Sequence, residues 1–480
     1  MELSSINILD VLPGILLVTA SLIAMLSIAI RRNHKLIFGV TTGSLLGVFI
    51  YLIIYATNHS FTVEPLFVID GFGTFITGLI VLSSLAVSLL SYAYFEQREE
   101  RKEEYYILLL LATLGSAMLV ISKHFVSLFL GLEILSIALY SMVAYLRKRE
   151  KSDEAGIKYL IIAAFSSAFL LFGMALVYAQ TGSMDFKDIG IYMDSVSNNG
   201  LPLLLIAGFA MMIVGIGFKL GVAPFHMWTP DVYEGAPAPV TAFIATVSKG
   251  GMVVLLVRFF GQINGQHYPV IVLSFTVIAI ASMFIGNFLA IRQNNVKRIL
   301  AYSSIAHLGY LLVAFLAGGA LGVEAVSFYL VAYFLTNIGA FGVIAILSDQ
   351  ERDAENIEDY QGLFWRHPKI ATVFTAMLLS LAGIPLTGGF VGKFYLIASG
   401  VSAQLWLLII VLAVNSVIGL YYYIKIIAVM FDKPKAFEAL ALRPRLYLIN
   451  LITLVVLSIL MIWYGVYPQA LIERIQDFLK

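Results

Sequence analysis

Cysteine is absent from the 480 residues. That excludes disulfides, thiolate-held iron–sulfur clusters and Cys-ligated zinc in this chain. Charge is scarce: Asp, Glu, Lys and Arg make up 12% of residues, against about 25% in an ordinary soluble domain. The 30 basic and 29 acidic residues nearly cancel, for a net charge of +1, so nothing points to nucleic acid. Also missing are a phosphate-cradling loop, a Gly-rich dinucleotide turn, a His/Glu metal spacing and a nucleophile elbow. No cofactor is expected in this chain, and no redox or hydrolytic chemistry of its own. The Met1-Glu2-Leu3 start lacks the basic residues of a secretory signal, and the first apolar stretch has full span length, so it reads as a retained helix. An Arg-rich, acid-poor transit segment is lacking too, which suits a bacterial or organelle-encoded protein.

Apolar residues are abundant, at 60%. Stretches near twenty residues recur from end to end, each long enough to cross a hydrocarbon layer of about 30 Å. The expected fold is an all-α polytopic membrane protein forming one membrane domain. Fourteen spans are predicted: 9–30, 36–56, 71–95, 105–122, 124–146, 155–179, 202–228, 238–262, 269–290, 297–318, 323–348, 370–399, 405–430 and 446–467.

Basic residues order these spans. One side receives 20 of them, among them Arg98, Arg149, Lys297, Lys435, Arg443 and Arg445; the other receives Lys123, Lys187, Arg474 and Lys480. The positive-inside rule then puts both termini outside, in the periplasm of a bacterium. Six basic residues fall inside spans: Lys158, Lys219, Lys249, Arg258, Lys393 and Lys425.

Spans 5–6 resemble spans 10–11 at an offset of 170 residues. Leu139–Leu146 lies over Gly309–Leu316, and Tyr159-Leu160 over Tyr329-Leu330. Five spans separate the copies, so the second is upside down. This predicts two inverted five-helix repeats, spans 4–8 and 9–13, a transporter signature that places sites between the repeats. The expected division is 1–104 (three N-terminal helices), 105–262 (first repeat), 269–430 (second repeat) and 446–480 (last helix and tail). Glu133 overlays Ser303, so the halves differ chemically.

A charge at the bilayer centre costs about 3 kcal/mol on insertion scales, so such residues generally face protein or water and mark ion paths. Glu133 is deep in span 5, where a lysine partner is expected. Lys249 lies near the middle of span 8 among the small, polar residues Thr246-Val247-Ser248 and Gly250-Gly251. Burial lowers a lysine pKa and a nearby carboxylate raises it, so such a lysine can exchange a proton. Spans 7 and 12 look broken, at Gly221-Val222-Ala223-Pro224 beside Lys219 and at Gly383-Ile384-Pro385 before Lys393. Paired breaks in matching places point to a transport site. Lys219 precedes its proline by five residues and Lys393 follows its own by eight, so the lysines do not overlay linearly. His307, beside Ser303-Ser304, is open to a structural or a relay role, as is His226 on the span 7 break. Lys158, Arg258 and Lys425, near span ends, read as side chains snorkelling to the interface.

The run Lys219-Leu220-Gly221-Val222-Ala223-Pro224-Phe225-His226-Met227-Trp228-Thr229-Pro230-Asp231-Val232-Tyr233-Glu234-Gly235-Ala236-Pro237, followed by Pro239–Phe243 and Ser248-Lys249, resembles the antiporter-like subunits of respiratory complex I, relatives of Mrp-type sodium/proton antiporter subunits. The resemblance covers nearly the whole chain. About a dozen residues follow the last span, so the long lateral helix of one family member is not expected. The resemblance implies a fourteen-helix fold, with Glu133 and Lys219 as a carboxylate–lysine pair. It implies Lys249 as the central lysine, Lys393 as the lysine of the terminal half-channel, and Lys158 as a lysine near the pair. His307 falls among polar residues of the central axis. It further implies a bacterial inner-membrane NADH:quinone oxidoreductase. FMN, iron–sulfur clusters and quinone would lie in partner subunits. A subunit K-like and a subunit M-like neighbour would flank the chain in the membrane, and a peripheral arm would drive it. Two other readings stand beside this one: an Mrp-type antiporter subunit, and a non-conducting spacer of the membrane arm.

Overall fold

The computed structural model describes residues 8–55, 61–98, 101–196, 200–433 and 444–479. The Met1–Leu3 start and Lys435, Arg443 and Lys480 of the charge count lie outside the described residues, as does the side chain of Arg445. Nearly every described element is helical. In a span, an apolar helix satisfies its backbone groups without help from the solvent.

Helices α1 (Ile8–Ile30) and α2 (His34–Tyr55) lead to a hairpin of β1 (Phe61–Val63) and β2 (Phe67–Ile69), with Thr62 opposite Val68. There follow α3 (Gly71–Glu96), α4 (Glu104–Ile121), α5 (Phe125–Val143), α6 (Glu150–Thr181) and the short α7 (Phe186–Val196). Next come α8 (Leu203–Leu220), α9 (Trp228–Gly235), α10 (Ala238–Phe243) and α11 (Lys249–Gln262). The second half holds α12 (Pro269–Ile291), α13 (Val296–Ala317), α14 (Gly319–Leu347), α15 (Leu363–Arg366), α16 (Pro368–Ala382), α17 (Gly388–Ser402) and α18 (Trp406–Phe431). Helices α19 (Pro444–Val466) and α20 (Gln469–Leu479) close the chain. Side chains cap several starts: Asp70 accepts from the Gly73 amide, Asn295 from Arg298, and Thr387 from Phe390.

Among the described residues, thirteen helical segments are long and apolar enough to cross a membrane. The broken pair α16–α17 lies where the predicted span 370–399 falls, which accounts for the fourteen expected. Helices α13 and α14 are enclosed along their apolar stretches, while most residues along those of α1 and α2 are not buried. Span 7 differs from its predicted 202–228 range. Helix α8 stops at Leu220, and the chain becomes helical again only at Trp228.

The two breaks are built alike. Gly221 sits at φ +73° and its amide reaches back to the Gly217 and Phe218 carbonyls, while Val222 bonds Gly217. Gly383 sits at φ +84°, with the same bonds to Leu379 and Ser380, and Ile384 bonds Leu379. Only glycine adopts this left-handed cap without strain, and the prolines that follow cannot continue the helix.

Loops assigned to the same side meet. On one side, Arg98, Arg149 and Lys297, which follow spans 3, 5 and 9, converge on Asp353, which follows span 11. On the other, Lys123 pairs with Glu64 and Asp185. Loops after spans 3, 5, 9 and 11 thus meet one another, as do loops after spans 2, 4 and 6.

Candidate functional site

The enclosed helices carry a row of polar side chains. It begins on α5, where Glu133, Ser136 and Tyr140 share one face at spacings of three and four. Ser167 of α6 donates to Glu133 Oε1 at 2.7 Å. Lys219, in the last turn of α8, donates to Ser136 Oγ at 2.8 Å and lies over the Tyr140 ring, 6.0 Å from its centroid. The expected Glu133–Lys219 ion pair is therefore not closed. Each partner holds a serine hydroxyl, and Ser136 stands one helical turn from the carboxylate. Glu133 is half-buried, between the exposed Leu130 and Ile137.

The break after Lys219 brings α8 against Lys249. A Cβ on Gly221 would lie 3.7 Å from Lys249 Nζ and 2.5 Å from Thr229 Oγ1. Lys249 follows a π-helical turn at Ile244–Ser248. Such a turn adds a residue and frees a carbonyl; here Ser116 of α4 donates to Val247 O at 2.8 Å. Lys249, 1% exposed, donates to Ser304 Oγ and lies 5.3 Å from the Tyr233 ring centroid.

Ser303, Ser304 and His307 lie on neighbouring turns of α13. His307 joins Tyr329 OH through Nδ1 at 2.6 Å and Tyr423 OH through Nε2 at 3.1 Å. Tyr423 also meets Ser303. Beyond them Lys393 lies 5.3 Å from the Tyr310 ring centroid and donates to Ala382 O at 2.8 Å and Ser416 Oγ at 2.9 Å. Its side chain folds back over Gly383. This resolves the linear mismatch between the two lysines. Lys219 stands in the last turn of the half-helix before its break, and Lys393 reaches back across its own break to the same place. Both cations thus sit at a helix C-terminus, where the dipole favours positive charge.

Among the described residues, none of these three lysines has a carboxylate within 4.0 Å. Their partners are hydroxyls, carbonyls and aromatic faces. A serine hydroxyl accepts from an ammonium and donates to a neutral amine, so it serves both protonation states.

The other in-span cations lie elsewhere. Lys158 is partly exposed and pairs with Glu154 at 2.6 Å and Asp231 at 3.2 Å. Arg298 joins this cluster through Asp231 and Glu234, both at 2.8 Å. Burial opposes ionisation of Asp231, but bonds from Arg298 and Lys158 outweigh it and hold the carboxyl below its usual range. The Tyr140 ring beside Lys219 meets Tyr159 edge-on, and Tyr159 and Phe218 each pack at a tilt against Trp228. Arg258 does not snorkel. It is buried and forms a two-pronged bond with Asp70, both prongs at 2.8 Å, while its Nε donates to Val120 O. Lys425 does reach a span end, bonding Asn294 and Gln293.

Ser136, Ser167, Ser304, Ser416, Tyr329 and Tyr423 were not singled out from sequence as partners; serines and tyrosines are common in spans and carry no distinguishing spacing. Asp353 was missed too. Burial alone would push its carboxyl up, but Lys297, Arg149 and Arg98 hold it far below the usual carboxylate range.

Comparison with known proteins adds a family. A family model described as NADH:quinone oxidoreductase/Mrp antiporter, transmembrane, matches residues 122–419. NADH-quinone oxidoreductase subunit N of Nitrosospira multiformis is 49% identical over 97% of this chain and 95% of its own length. Its namesake from Methylococcus capsulatus is 44% identical over 96% and 93%. A chain of respiratory complex I from Thermus thermophilus, solved with bound aureothin, superposes with a TM-score of 0.82 at 29% identity, covering 96% of this chain and 98% of that one. A chain of the Mrp complex from Dietzia shares the fold, with a TM-score of 0.85 at 20% identity over 98% and 97%.

Proposed function

The chain belongs to the membrane-subunit family of NADH:quinone oxidoreductases and Mrp antiporters, and from that premise we propose how its buried row works. The protein is a multi-pass, proton-translocating membrane-arm subunit of an NADH-quinone oxidoreductase, with other subunits of that complex as partners. The row of Glu133, Lys219, Lys249, His307 and Lys393 carries the protons. The observation that supports this is that each costly buried group is held by hydroxyls: Ser136 at Lys219, Ser304 at Lys249, Tyr329 and Tyr423 at His307. A structural spacer has no need of them.

Lys219 is the switch. Sliding from Ser136 toward Glu133, one turn away, closes an ion pair and favours the ammonium. Sliding back releases the proton toward Lys249 across the Gly221 break. Protons then pass through His307 to Lys393 and out. Lys158, in its cluster with Asp231 and Glu154, feeds the Lys219 end from the basic face. The chain divides as 1–104, 105–262, 269–430 and 446–480, the two middle parts being inverted units. The matching caps at Gly221 and Gly383 support that division.

Redox chemistry, with FMN, iron–sulfur clusters and quinone, belongs to partner subunits and supplies the drive. A half-exposed carboxyl at the depth of Glu133 does not suit lipid, which supports a membrane neighbour there. A K-like and an M-like subunit are the expected neighbours. The excess of basic residues on one face supports a bacterial plasma membrane location with both termini periplasmic.

Two measurements test this reading. The chain co-purifies with FMN- and iron–sulfur-containing subunits; isolation only with sodium/proton antiporter subunits sinks the oxidoreductase assignment. Lys219→Ala assembles but pumps poorly; undiminished NADH-driven pumping removes Lys219 from the path.

A further inference from the structure

A cavity of about 530 Å³ lies away from the buried row, bounded by α1, the β1–β2 hairpin, α3, α4 and α5. The sequence of α1 builds one wall. Pro13 has no amide to give the Leu9 carbonyl, and Tyr51 of α2 donates to that oxygen at 2.7 Å. Gly14, next along, has no side chain; a Cβ there would meet only Leu114 Cδ1, at 4.0 Å. Phe67 and Ile69 of β2 close one end. The hairpin is fixed there, its Leu66 carbonyl accepting from the Lys123 amide at 3.2 Å and from Ser127 Oγ at 2.7 Å. Helix α4 contributes Ala117 and Met118, and α5 contributes Ile134.

This lining selects hydrocarbon. It holds no charged or amide side chain. The hydroxyls of Thr74 and Thr77 are covered, and that of Thr19 bonds the Leu16 carbonyl. Space lined this way stays dry and takes apolar guests; about 150 Å³ holds one benzene. In proportion, this cavity holds about twenty carbons. Val18, which also lines it, lies ten residues into α1, about 15 Å along the axis. That is half of a hydrocarbon layer of about 30 Å, the reach of one leaflet. Spread over that depth, the cavity is about 35 Å² in section, and a helix about 10–12 Å across needs more than twice as much. A helix of a neighbouring subunit is therefore too wide to fill it. Ile15 and Val18 are exposed and begin a stripe that Leu22 and Leu26 continue at helical spacing. The cavity thus opens on the outward face of α1, where exposed apolar side chains suit the hydrocarbon layer.

We propose that this cavity holds one acyl chain of a phospholipid, inserted sideways beneath the hairpin from the leaflet on that side of the membrane. The chain completes the packing between the rim helix α1 and helix α4. The site is separate from the buried row and does not depend on the translocating reading.

The test places the whole complex in vesicles of phosphatidylcholine carrying a photoactivatable diazirine midway along one acyl chain, and maps the labelled residues by mass spectrometry. Ala117 is buried, so lipid at the outer surface does not reach it; Ile410 of α18 is exposed and reports ordinary bilayer contact. Both are expected to be labelled in the unsubstituted complex. Gly14→Leu sends a side chain into the cavity past an ordinary contact, so labelling at Ala117 is expected to be lost while that at Ile410 persists. Labelling confined to Ile410, or undiminished at Ala117 in Gly14→Leu, overturns the proposal. So does labelling of Ala117 by a diazirine on an isoprenoid quinone tail but not by the phospholipid. Should Gly14→Leu fail to assemble, a density map of the unsubstituted complex decides. A continuous rod of density entering beneath Ile69 supports an acyl chain; a neighbour's side chain there, or no density, refutes it.

Discussion

Replacing Asp353 by alanine leaves three cations without their shared counter-ion. Lys297 Nζ lies 2.9 Å from the carboxylate and is 1% exposed; Arg149 lies at 3.1 Å and Arg98 at 3.5 Å, and Tyr94 OH donates at 2.7 Å. Removing one member of a buried pair costs about 3–5 kcal/mol. Lys297 keeps the Glu234 and Ala236 carbonyls, and Arg98 keeps those of Tyr94 and Asp349. The lower end, about 3 kcal/mol, is therefore expected. The comparison is Arg352→Ala, which breaks a two-pronged bond to Asp359 from a side chain 55% exposed; exposed pairs are worth about 0–1 kcal/mol. Denaturant unfolding of the protein in mixed micelles, followed by tryptophan fluorescence, gives both values. The sign with pH follows from the direction of the shift. The folded Asp353 carboxyl is held below its unfolded value, so its contribution is complete above about pH 4 and fades as pH falls below that. The difference between Asp353→Ala and the unsubstituted protein should thus hold from about pH 5 to 8 and shrink in acid. An Asp353→Ala cost no larger than that of Arg352→Ala at pH 7 would refute the reasoning.

Ser136→Ala removes the hydrogen bond that holds Lys219, worth about 1.5–3 kcal/mol to a charged group; slower NADH-driven pumping with normal assembly is expected, and an unchanged rate would dismiss Ser136. Gly221→Ala forces a side chain into a left-handed cap, at about 1–2 kcal/mol, and drives its Cβ to 2.5 Å from Thr229 Oγ1; lower folded yield on native gels and weaker pumping in what remains should both appear. Arg258→Lys keeps the charge but loses the two-pronged geometry to Asp70, so a measurable loss of stability without loss of pumping is expected. Equal stability would mean that the snorkelling reading was adequate.

Some of this molecule was legible in its residues, and the reasons differ by feature. Spans were legible because hydropathy over twenty residues reports burial in lipid whatever the neighbours are. The breaks were legible because Gly221 and Gly383, each followed closely by proline, announce a left-handed cap that cannot continue. The depth of Glu133 and Lys249 followed from counting along their spans. The contacts were not legible. Arg258 and Asp70 are far apart in sequence, and a lone Arg near a span end looks the same whether it snorkels or pairs. The π turn before Lys249 leaves no compositional mark, since Ile244–Ser248 would read equally well as α-helix. Lys219 and Lys393 looked unrelated because a linear count cannot reveal that Lys393 folds back over Gly383. The gap between Glu133 and Lys219 depends on side-chain reach across two helices, which no local pattern encodes.

The central claim is that protons travel through Lys249 and Lys393 in the enclosed core. The most direct measurement is the number of protons moved per NADH oxidised in vesicles carrying the whole complex, with Lys249→Met and with Lys393→Met, each verified as assembled. A lowered ratio in both is the predicted result. A ratio equal to that of the unsubstituted complex in both would contradict the account.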